Sequence, residues 1–429
     1  MSQAEAMAES ARCLYCFDAP CTRACPTHID VPAFIKKIAS GNLAGSGRVI
    51  FDANPIGSTC ARVCPVQVMC EGACVEKTLV NRPIEIGRLQ RYATENSLRS
   101  VRPLFAPGPP NGKSVGIVGS GPAGLSCAAY LRRLGYAVTI YDRREKPGGL
   151  DTYAMAEYKI SQAESLAEVE MIAAMGVNFV LNTEITRSGV YEGGLSAKEP
   201  LPFAELRSRH DALMLAIGLG RTRVLDIEGE SLPGVFDALD IIETFKEKAW
   251  LALPQTTAAV VIGGGNTAID AARQLKRIGI KTVTVAYRRT AAEMPAYEHE
   301  FESSKLDGVA FLWNASPTRI AAGENGFVAS ISLRTPEGVA DVPCGIVVKA
   351  TGQKKMRSFF EDIAAVNIDD AGRVVVSGLM QTSDPLIFAG GDCVNGGGEA
   401  VEAAQMGKMA ATGIHLELAN ELVKFRGSE

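Results

Sequence analysis

Short apolar runs separated by helical spacing organise the middle of the chain. Residues 114–118 and 137–141 are apolar runs typical of buried strands, and residues 125–134 between them carry apolar side chains at three- and four-residue intervals. The order strand, helix, strand predicts a βαβ unit with parallel strands that are buried on both faces.

The same order returns about 144 positions further along, with strands at residues 258–262 and 282–287 and a helix at residues 268–278. Two dinucleotide-binding units are therefore predicted. Further elements are expected as a helix at 161–175, strands at 178–181, 212–219, 328–333, 345–350 and 387–389, and a last helix at 399–418.

The first quarter of the chain has a different pattern, with helical spacing and no strand-like alternation. Helices are predicted at residues 4–12, 31–40, 42–52 and 84–98. Residues 101–113 are rich in proline and glycine and cannot continue a helix, so they predict a boundary near residue 108.

The first βαβ unit carries the residues that a bound dinucleotide needs. Gly119, Gly121 and Gly124 follow the first strand as G-x-G-x-x-G, and Asp142 ends the second strand. The glycines allow a tight turn, a close approach of backbone amides to a pyrophosphate, and close helix packing, while the acid accepts ribose hydroxyls. This spacing favours a dinucleotide site over a chance glycine turn.

The second unit repeats the glycine loop as G-x-G-x-x-A but has no acid at the end of its second strand. Arg288 and Arg289 stand there, and arginine in that place can accept a 2′-phosphate, which favours NADP(H) over NAD(H). The alternative is that both arginines belong to a solvated surface. The predicted nucleotide contacts are Gly263, Gly265, Asn266, Thr267, Ala268, Arg288 and Arg289.

A late strand offers a further contact. Residues 387–389 end in Gly391 and Asp392, which alone would indicate only a turn. In a protein whose first βαβ unit binds FAD, this Gly-Asp pair is well placed to hold the ribityl chain. The helix that follows would then bring its first turn towards the flavin ring.

Composition narrows the function classes. The chain of 429 residues is 47% hydrophobic and 21% charged, with a net charge of −4, which gives no electrostatic footprint for nucleic acid or an anionic membrane. Neither a secretion signal nor an apolar run of about 18 residues is visible, so a cytoplasmic protein without membrane or nucleic-acid partners is expected.

The cysteines are unevenly distributed. Eight of the eleven lie between Cys13 and Cys74, with spacings C-x2-C-x4-C-x3-C-P and C-x3-C-P-x4-C-x3-C. Without a secretion signal, such clustering points to metal ligands rather than disulfides. The four histidines are scattered and offer no second set of ligands.

Eight thiolates can hold two zinc ions or two iron–sulfur clusters. Zinc ribbons usually pair two C-x2-C motifs, whereas each group here contains C-x3-C, and Cys25 and Cys64 precede proline as in bacterial ferredoxins. A neighbouring flavin would give iron a redox role, because flavin accepts a hydride and releases single electrons. The spacing favours clusters, with structural zinc as the alternative.

These motifs together resemble the family that contains the small subunit of glutamate synthase and the electron-input subunit of bacterial dihydropyrimidine dehydrogenase. The resemblance covers nearly the whole chain and implies an α/β fold with two Rossmann-like domains behind an α-helical domain with two [4Fe–4S] clusters. The implied domains are residues 1–108 for the clusters, 109–220 with 351–429 for FAD, and 221–350 for NAD(P)H. The implied FAD contacts are Gly119, Gly121, Ala123, Gly124, Asp142, Gly149, Leu150, Lys159, Gly391, Asp392, Ala400 and Val401.

The resemblance also implies the cluster ligands. One cluster takes Cys13, Cys16, Cys21 and Cys74, and the other takes Cys25, Cys64, Cys70 and Gln90. Cys60 would be the eighth cysteine, without a cluster. Dihydropyrimidine dehydrogenases have glutamine at the place of Gln90, where glutamate synthase small subunits have glutamate.

The implied activity is electron input. Hydride would pass from NADH or NADPH to FAD, and electrons would pass through the clusters to a partner subunit with FMN and further clusters, which reduces uracil or thymine. No catalytic residue is nominated, because hydride transfer is mostly positioning. The alternatives are the small subunit of NADPH-dependent glutamate synthase and a zinc-stabilised nucleotide-binding scaffold without catalysis.

Overall fold

The structure, a computed structural model, describes residues 1–100, 103–187 and 199–419. The chain forms two compact units. The first contains Met1–Thr152, Ala163–Leu219 and the chain from Lys355 onward, and the second contains Tyr153–Gln162 and Gly220–Lys354.

The N-terminal part of the first unit is helical. Its helices are α1 Gln3–Ala11, α2 Pro20–Arg23, α3 Val31–Ala39, α4 Leu43–Ala53, α5 Gly57–Val63, α6 Val75–Val80 and α7 Ile86–Leu98. Local caps define their starts, since Ser2 and Glu5 form a capping box on α1 and Asp30 caps α3. Phe34, Ile35 and other apolar side chains of α3, α4 and α7 form a core that excludes water.

The rest of the first unit is built on a parallel sheet with the order β15-β6-β1-β2-β3. Its strands and the flanking pair are β1 Ser114–Val118, β2 Ala137–Tyr141, β3 Asn178–Val180, β4 Thr183–Thr186, β5 Glu199–Pro202, β6 Ala212–Leu215 and β15 Ile387–Ala389. The helices are α8 Pro122–Arg133, α9 Leu150–Tyr153, α10 Gln162–Ala173, α11 Phe203–Arg209, α15 Asp392–Asn395 and α16 Ala400–Leu418. Small residues allow α16 to pack closely on α8: a side chain at Gly407 would collide with the Ala123 carbonyl.

The second unit has its own parallel sheet, in the order β10-β9-β8-β14-β7, and an antiparallel sheet β11-β12-β13. Its strands are β7 Val235–Asp237, β8 Ala258–Ile262, β9 Thr282–Tyr287, β10 Ala310–Trp313, β11 Ser316–Ala322, β12 Val328–Thr335, β13 Gly338–Pro343 and β14 Ile346–Lys349. Its helices are α12 Ala238–Lys246, α13 Asn266–Arg277 and α14 Glu298–Leu306.

Most predicted elements lie within one to three residues of the observed ones, and the strand predicted at 212–219 differs most. It ends at Leu215, because Ala216 makes the last ladder bond to Val118 and its carbonyl then packs against the turn at Gly119. The helices that were not predicted are α2, α5, α6, α9, α11, α12, α14 and α15.

The predicted boundary segment 101–113 begins with two residues outside the described ranges. The Gly108 amide donates to Arg132 in the last turn of α8, and the Asn111 amide donates to Gly135 in the turn that follows. The last ten residues of the predicted FAD domain, 420–429, also lie outside the described ranges. The three domain boundaries stay predictions. Among the helices of the described ranges, none is both long and apolar enough to cross a membrane.

Candidate functional site

In the first glycine loop, two glycines have no room for a side chain, and a third has open space beside it. A side chain at Gly119, where φ is +100°, would collide with the Ala216 carbonyl, and one at Gly124 would collide with the Gly119 carbonyl. At Gly121, the N-cap of α8, an added Cβ would meet only the Gly149 Cα, at 3.9 Å. In dinucleotide-binding βαβ units, the glycine at this position is the one where a pyrophosphate approaches the helix amides.

Asp142 fixes this loop from the end of β2. One carboxylate oxygen accepts hydrogen bonds from the Ser120 amide at 2.8 Å and the Ser120 hydroxyl at 2.5 Å, and the other accepts from the Arg144 amide at 2.8 Å. A carboxylate offers about four acceptor positions, so Asp142 can hold the loop and still accept a ribose hydroxyl.

The predicted Gly-Gly-Leu loop lies against the first glycine loop. The Gly148 amide donates to the Ser120 carbonyl and hydroxyl, both at 3.1 Å, and a Cβ at Gly149 would stand 2.7 Å from the Gly121 Cα. Leu150 begins α9 beside them. The structure thus brings Gly149 and Leu150 to the predicted dinucleotide loop.

The end of β15 reaches the same place. A Cβ at Gly391 would lie 3.1 Å from the Ala123 Cβ, so this turn packs on the first turn of α8. Asp392 accepts from the Gly398 amide at 3.1 Å, and burial raises the pKa of its carboxyl group. Ala400 and Val401 are buried in the first turn of α16, in the same apolar cluster as Ala123.

Lys159 is placed in the second unit. Its ammonium group lies 2.8 Å from Asp270 and 2.9 Å from Glu300, and Tyr158 also donates to Asp270. Burial lowers the pKa of Lys159, but these two carboxylates outweigh it and the net shift is upward. The described contacts of Lys159 are therefore structural, and its assignment to FAD stays a prediction.

The second glycine loop repeats the arrangement of the first. A side chain at Gly263 would collide with the Ala350 carbonyl, and a Cβ at Gly264 would lie 2.6 Å from the Tyr287 ring. A Cβ at Gly265, the N-cap of α13, would meet nothing within 4 Å. That open position faces a large cavity, which is lined by Thr222, Arg223, Leu225, Gly263, Gly265, Thr267, Arg288, Arg289, Ala315, Gly352 and other residues.

Arginines define the charge of this cavity. Arg288 and Arg289 are exposed at its wall, and neither makes an ion pair within the described residues. Arg223 stands on another wall, where its amide donates to Gly352 at 2.9 Å. Sequence patterns missed Arg223, since it follows an irregular turn far from the loop that it faces. Asn266 and Ala268 lie at the start of α13, with the Asn266 amide oxygen bonded to the Tyr297 amide at 3.0 Å.

The first cysteine set lines one cavity. Cys13, Cys16, Cys21 and Cys74 surround it together with apolar side chains such as Ile35 and Ile86. Burial, followed by the neighbouring Cys16 and Cys74, raises the pKa of Cys13, and burial raises that of Cys21 to about 11. Thiols of this kind bind soft metals with release of their protons, so the donor set fits an iron–sulfur cluster.

The second set surrounds the end of α5. Hydrogen bonding to Cys60, then burial and the neighbouring Cys70 and Cys25, raises the pKa of Cys64. Cys60 is buried, and its thiol accepts from the side-chain amide of Asn54 at 3.1 Å. The predicted ligand thiols thus lie together in two groups, of which Cys25 packs against the cores of both parts of the unit.

Gln90 is buried on α7 and donates to the Gly57 carbonyl at 2.7 Å, at the start of α5. No three His, Cys, Asp or Glu side chains of the described ranges close on a single point as the ligands of one metal ion do. A four-iron cluster separates its ligands more widely, so open sets of thiols around a cavity suit it.

Two family models match the chain. Residues 113–407 match the family model described as pyridine nucleotide-disulphide oxidoreductase, and residues 1–101 match the model described as dihydropyrimidine dehydrogenase domain II, 4Fe-4S cluster. The predicted fold class is confirmed, and cofactors of the FAD, NAD(P)H and 4Fe–4S types are implied by the two matches.

Two relatives cover almost the whole chain. The NAD-dependent dihydropyrimidine dehydrogenase subunit PreT of Salmonella typhimurium is 32% identical over 96% of this chain and 94% of its own length. The glutamate synthase [NADPH] small chain of Escherichia coli is 31% identical over 96% of this chain and 91% of its own length.

A solved structure shows the same fold. Lactococcus lactis thioredoxin reductase superposes with a TM-score of 0.56 and 23% identity, and the match covers 72% of this chain and 99% of the reductase.

Proposed function

Because the chain belongs to the pyridine nucleotide-disulphide oxidoreductase family, we propose that it is the electron-input subunit of a larger enzyme. It takes hydride from NAD(P)H onto FAD and passes electrons through two [4Fe–4S] clusters to a partner subunit. The partner carries FMN and further clusters and reduces uracil or thymine to the 5,6-dihydro compound.

One observation carries the proposal. Cys60 is buried in the same apolar cluster as Ala123, Ala400 and Val401, and Cys25 and Cys64 pack against that cluster. Residues of the second cysteine set thus share one apolar cluster with the helices that we assign to the FAD site. Bound FAD supplies the conversion of one hydride into two single electrons, and the adjoining thiols hold the group that accepts them.

The residues of the FAD site act by position. The open Gly121 and the amides at the start of α8 accommodate the pyrophosphate, Asp142 holds the loop and the ribose, and the turn at Gly391 and Asp392 closes the site on the side of α16. Ala400 and Val401 are buried in an apolar cluster at the start of α16, and such surroundings would help to exclude water from a flavin ring bound beside that helix.

The NAD(P)H site depends on the second loop and its cavity. Gly265 leaves the α13 amides open to a pyrophosphate, and Arg288 and Arg289 supply positive charge where a 2′-phosphate would lie. The wall at Leu225 is held by Glu230, whose carboxylate accepts from the Leu225 amide at 2.9 Å and pairs with Lys349 at 2.9 Å.

Gln90 supports the pyrimidine enzyme, because the glutamate synthase small subunits that the sequence resembles have glutamate in its place. The PreT relative is named as a subunit, which supports a hetero-oligomer for this chain. The second candidate is the small subunit of glutamate synthase. Arg288 and Arg289 favour it, because they are suited to bind NADPH. The glutamate synthase relative is about as similar to this chain as the PreT relative is.

The test uses the chain purified from its host together with whatever it binds, under anaerobic conditions, with NADH and NADPH in parallel. Nucleotide oxidation that requires uracil and forms dihydrouracil supports the proposal and identifies the nucleotide. Oxidation that requires 2-oxoglutarate and glutamine instead replaces it with the glutamate synthase candidate. A colourless protein with zinc and no acid-labile sulfide overturns both.

A further inference from the structure

Glu168 is a buried carboxylic acid that joins two parts of the first unit. It lies on α10, is 1% exposed, and accepts hydrogen bonds from the Ser58 amide at 2.5 Å, the Thr59 amide at 2.9 Å and the Thr59 hydroxyl. Ser58 and Thr59 form the first turn of α5, where helix amides have no partners in their own helix. One side chain therefore caps a helix that lies 109 residues away in sequence.

Helix α5 bears the second cysteine set. Cys60 lies within it and Cys64 is its C-cap, so its orientation sets where the Cys64 thiol points. The helix has only seven residues and cannot hold its own position. Neighbouring helices position it: Gln90 of α7 binds the Gly57 carbonyl, and Glu168 of α10 binds the next two amides.

The same helix α10 also supports the predicted flavin loop. Ser165, one turn before Glu168, lies 2.8 Å from the Thr152 hydroxyl, which donates to the Pro147 carbonyl at 2.8 Å. Pro147 precedes the two glycines that pack on the first glycine loop. Helix α10 thus contacts the FAD side through Ser165 and the cysteine side through Glu168.

A second link follows the same course. Arg62 of α5 has only 3% of its side chain exposed and pairs with Glu164 of α10 at 2.9 Å and with Glu95 of α7 at 2.6 Å. Arg62 also donates to the Ser58 hydroxyl at 2.7 Å. The buried contact at Glu168 is the more rigid of the two, because three hydrogen bonds converge on it away from water.

We propose that Glu168 is a positioning residue for electron transfer from the flavin to the second cluster, because it fixes α5 and its cysteines relative to the helix that supports the flavin loop. This inference rests on the proposed function. Hydride transfer from the nicotinamide does not involve α5, so the contact affects the step after flavin reduction and leaves the first step intact.

The decisive variant is Glu168→Gln, which keeps the size of the side chain but turns one of the two acceptor oxygens into an NH₂ group, facing either the Ser58 amide or the Thr59 amide and hydroxyl. Glu170→Gln is its control, since Glu170 lies on the same helix and is exposed. The holoprotein is mixed anaerobically with NADH or NADPH, flavin bleaching is followed by stopped flow, and cluster reduction is followed by rapid-freeze EPR.

In Glu168→Gln, flavin bleaching should keep its rate while cluster reduction slows severalfold, because α5 loses part of the contact that fixes its cysteines relative to α10. In Glu170→Gln both rates should match the wild type. Equal cluster reduction in all three proteins overturns the proposal. A wild type without flavin bleaching or without an EPR signal overturns the proposed function instead.

A readout independent of turnover is amide exchange. The Ser58 and Thr59 amides should exchange slowly in the wild type and in Glu170→Gln, and at least one of them should exchange faster by about tenfold or more in Glu168→Gln, because a lost buried hydrogen bond costs about 1–3 kcal/mol. Thr59→Val, which removes only the hydroxyl contact, should give an intermediate cluster-reduction rate and keeps the test open if Glu168→Gln fails to fold. Unchanged exchange in Glu168→Gln, or a wild-type rate in a folded Thr59→Val, overturns the positioning role.

Discussion

The Asp142 carboxylate binds both the amide and the hydroxyl of Ser120, at 2.8 Å and 2.5 Å. Asp142 ends β2 and Ser120 lies between the first two glycines of the loop after β1, so one acid joins the ends of two neighbouring strands. The residue expected to bind ribose is thus also the residue that holds the glycine loop in shape.

Replacing Asp142 by asparagine should therefore weaken FAD binding by more than the loss of one ribose contact. Charge-assisted hydrogen bonds contribute about 1.5–3 kcal/mol, which corresponds to about 10- to 100-fold in affinity. The measurement is the FAD dissociation constant of the deflavinated protein by fluorescence. Asp211→Asn is the matched control, because Asp211 binds the Ser114 amide and hydroxyl at the other end of β1, at 2.8 and 3.2 Å. An equal loss of FAD in both variants would contradict the role given to Asp142.

Alanine at Gly265 should impair nucleotide binding without loss of stability, whereas alanine at Gly263 should lower the stability of the fold. The Gly265→Ala protein should keep its thermal stability, because the new methyl group meets no protein atom within 4 Å, but its KM for NAD(P)H should rise about tenfold or more by crowding of the pyrophosphate. Gly263→Ala should be destabilised, since its methyl group collides with the Ala350 carbonyl. The measurements are calorimetry and steady-state reduction of a dye. A Gly265→Ala enzyme with an unchanged KM would show that the pyrophosphate lies elsewhere.

Arg288 and Arg289 should decide between the two nucleotides. In the double alanine variant, the KM for NADPH should rise about 10- to 100-fold while that for NADH changes little, because only the 2′-phosphate loses its charged partners. Arg334→Ala serves as the control, since Arg334 is exposed on β12 of the same unit. If the KM values for NADPH and NADH rise by the same factor, the arginines bind a feature that both nucleotides share.

Cys60 and Cys64 are four residues apart and both are held around α5, yet they should differ in iron content. Cys60→Ser should retain the full iron and acid-labile sulfide, because its thiol is engaged by Asn54 and the resemblance gives it no cluster. Cys64→Ser should lose about half of the iron, since one of two clusters loses a ligand. Iron and sulfide assays with EPR make the comparison. Loss of iron in Cys60→Ser would make Cys60 the ligand in place of Gln90.

Local sequence signals were enough for the two βαβ units. The strands at 114–118, 137–141, 258–262 and 282–287 have the predicted bounds, because each is an apolar run stopped by a glycine loop or a turn. Helix α5 had no such signal, since Gly57, Ser58 and Thr59 are weak helix formers, and the amides of Ser58 and Thr59 are satisfied from α10. The position of Arg223 at the wall of the cavity depends on its hydrogen bond to Gly352, a residue that is also far away in sequence. What the sequence could not predict is therefore the tertiary capping that joins the cysteines to the flavin side.

The stability of the first unit should depend on pH through Glu168. Burial raises the pKa of its carboxyl group from the ordinary 4.5 to about 7, although Thr59, Ser58 and Arg62 act in the opposite direction. The folded protein thus holds this proton more tightly than the unfolded chain, so the stabilisation is complete below about pH 4.5 and is lost as the pH rises through 7.

The melting temperature of the wild type should therefore fall relative to that of Glu168→Gln between pH 5 and 8, by the equivalent of up to about 3 kcal/mol. The charged groups nearest this site, Arg62 with Glu95 and Glu164, are present in both proteins and cancel in the difference. Glu170→Gln should follow the wild type at every pH. Parallel melting curves for the wild type and Glu168→Gln would mean that Glu168 stays charged throughout this range, with its three hydrogen bonds outweighing its burial.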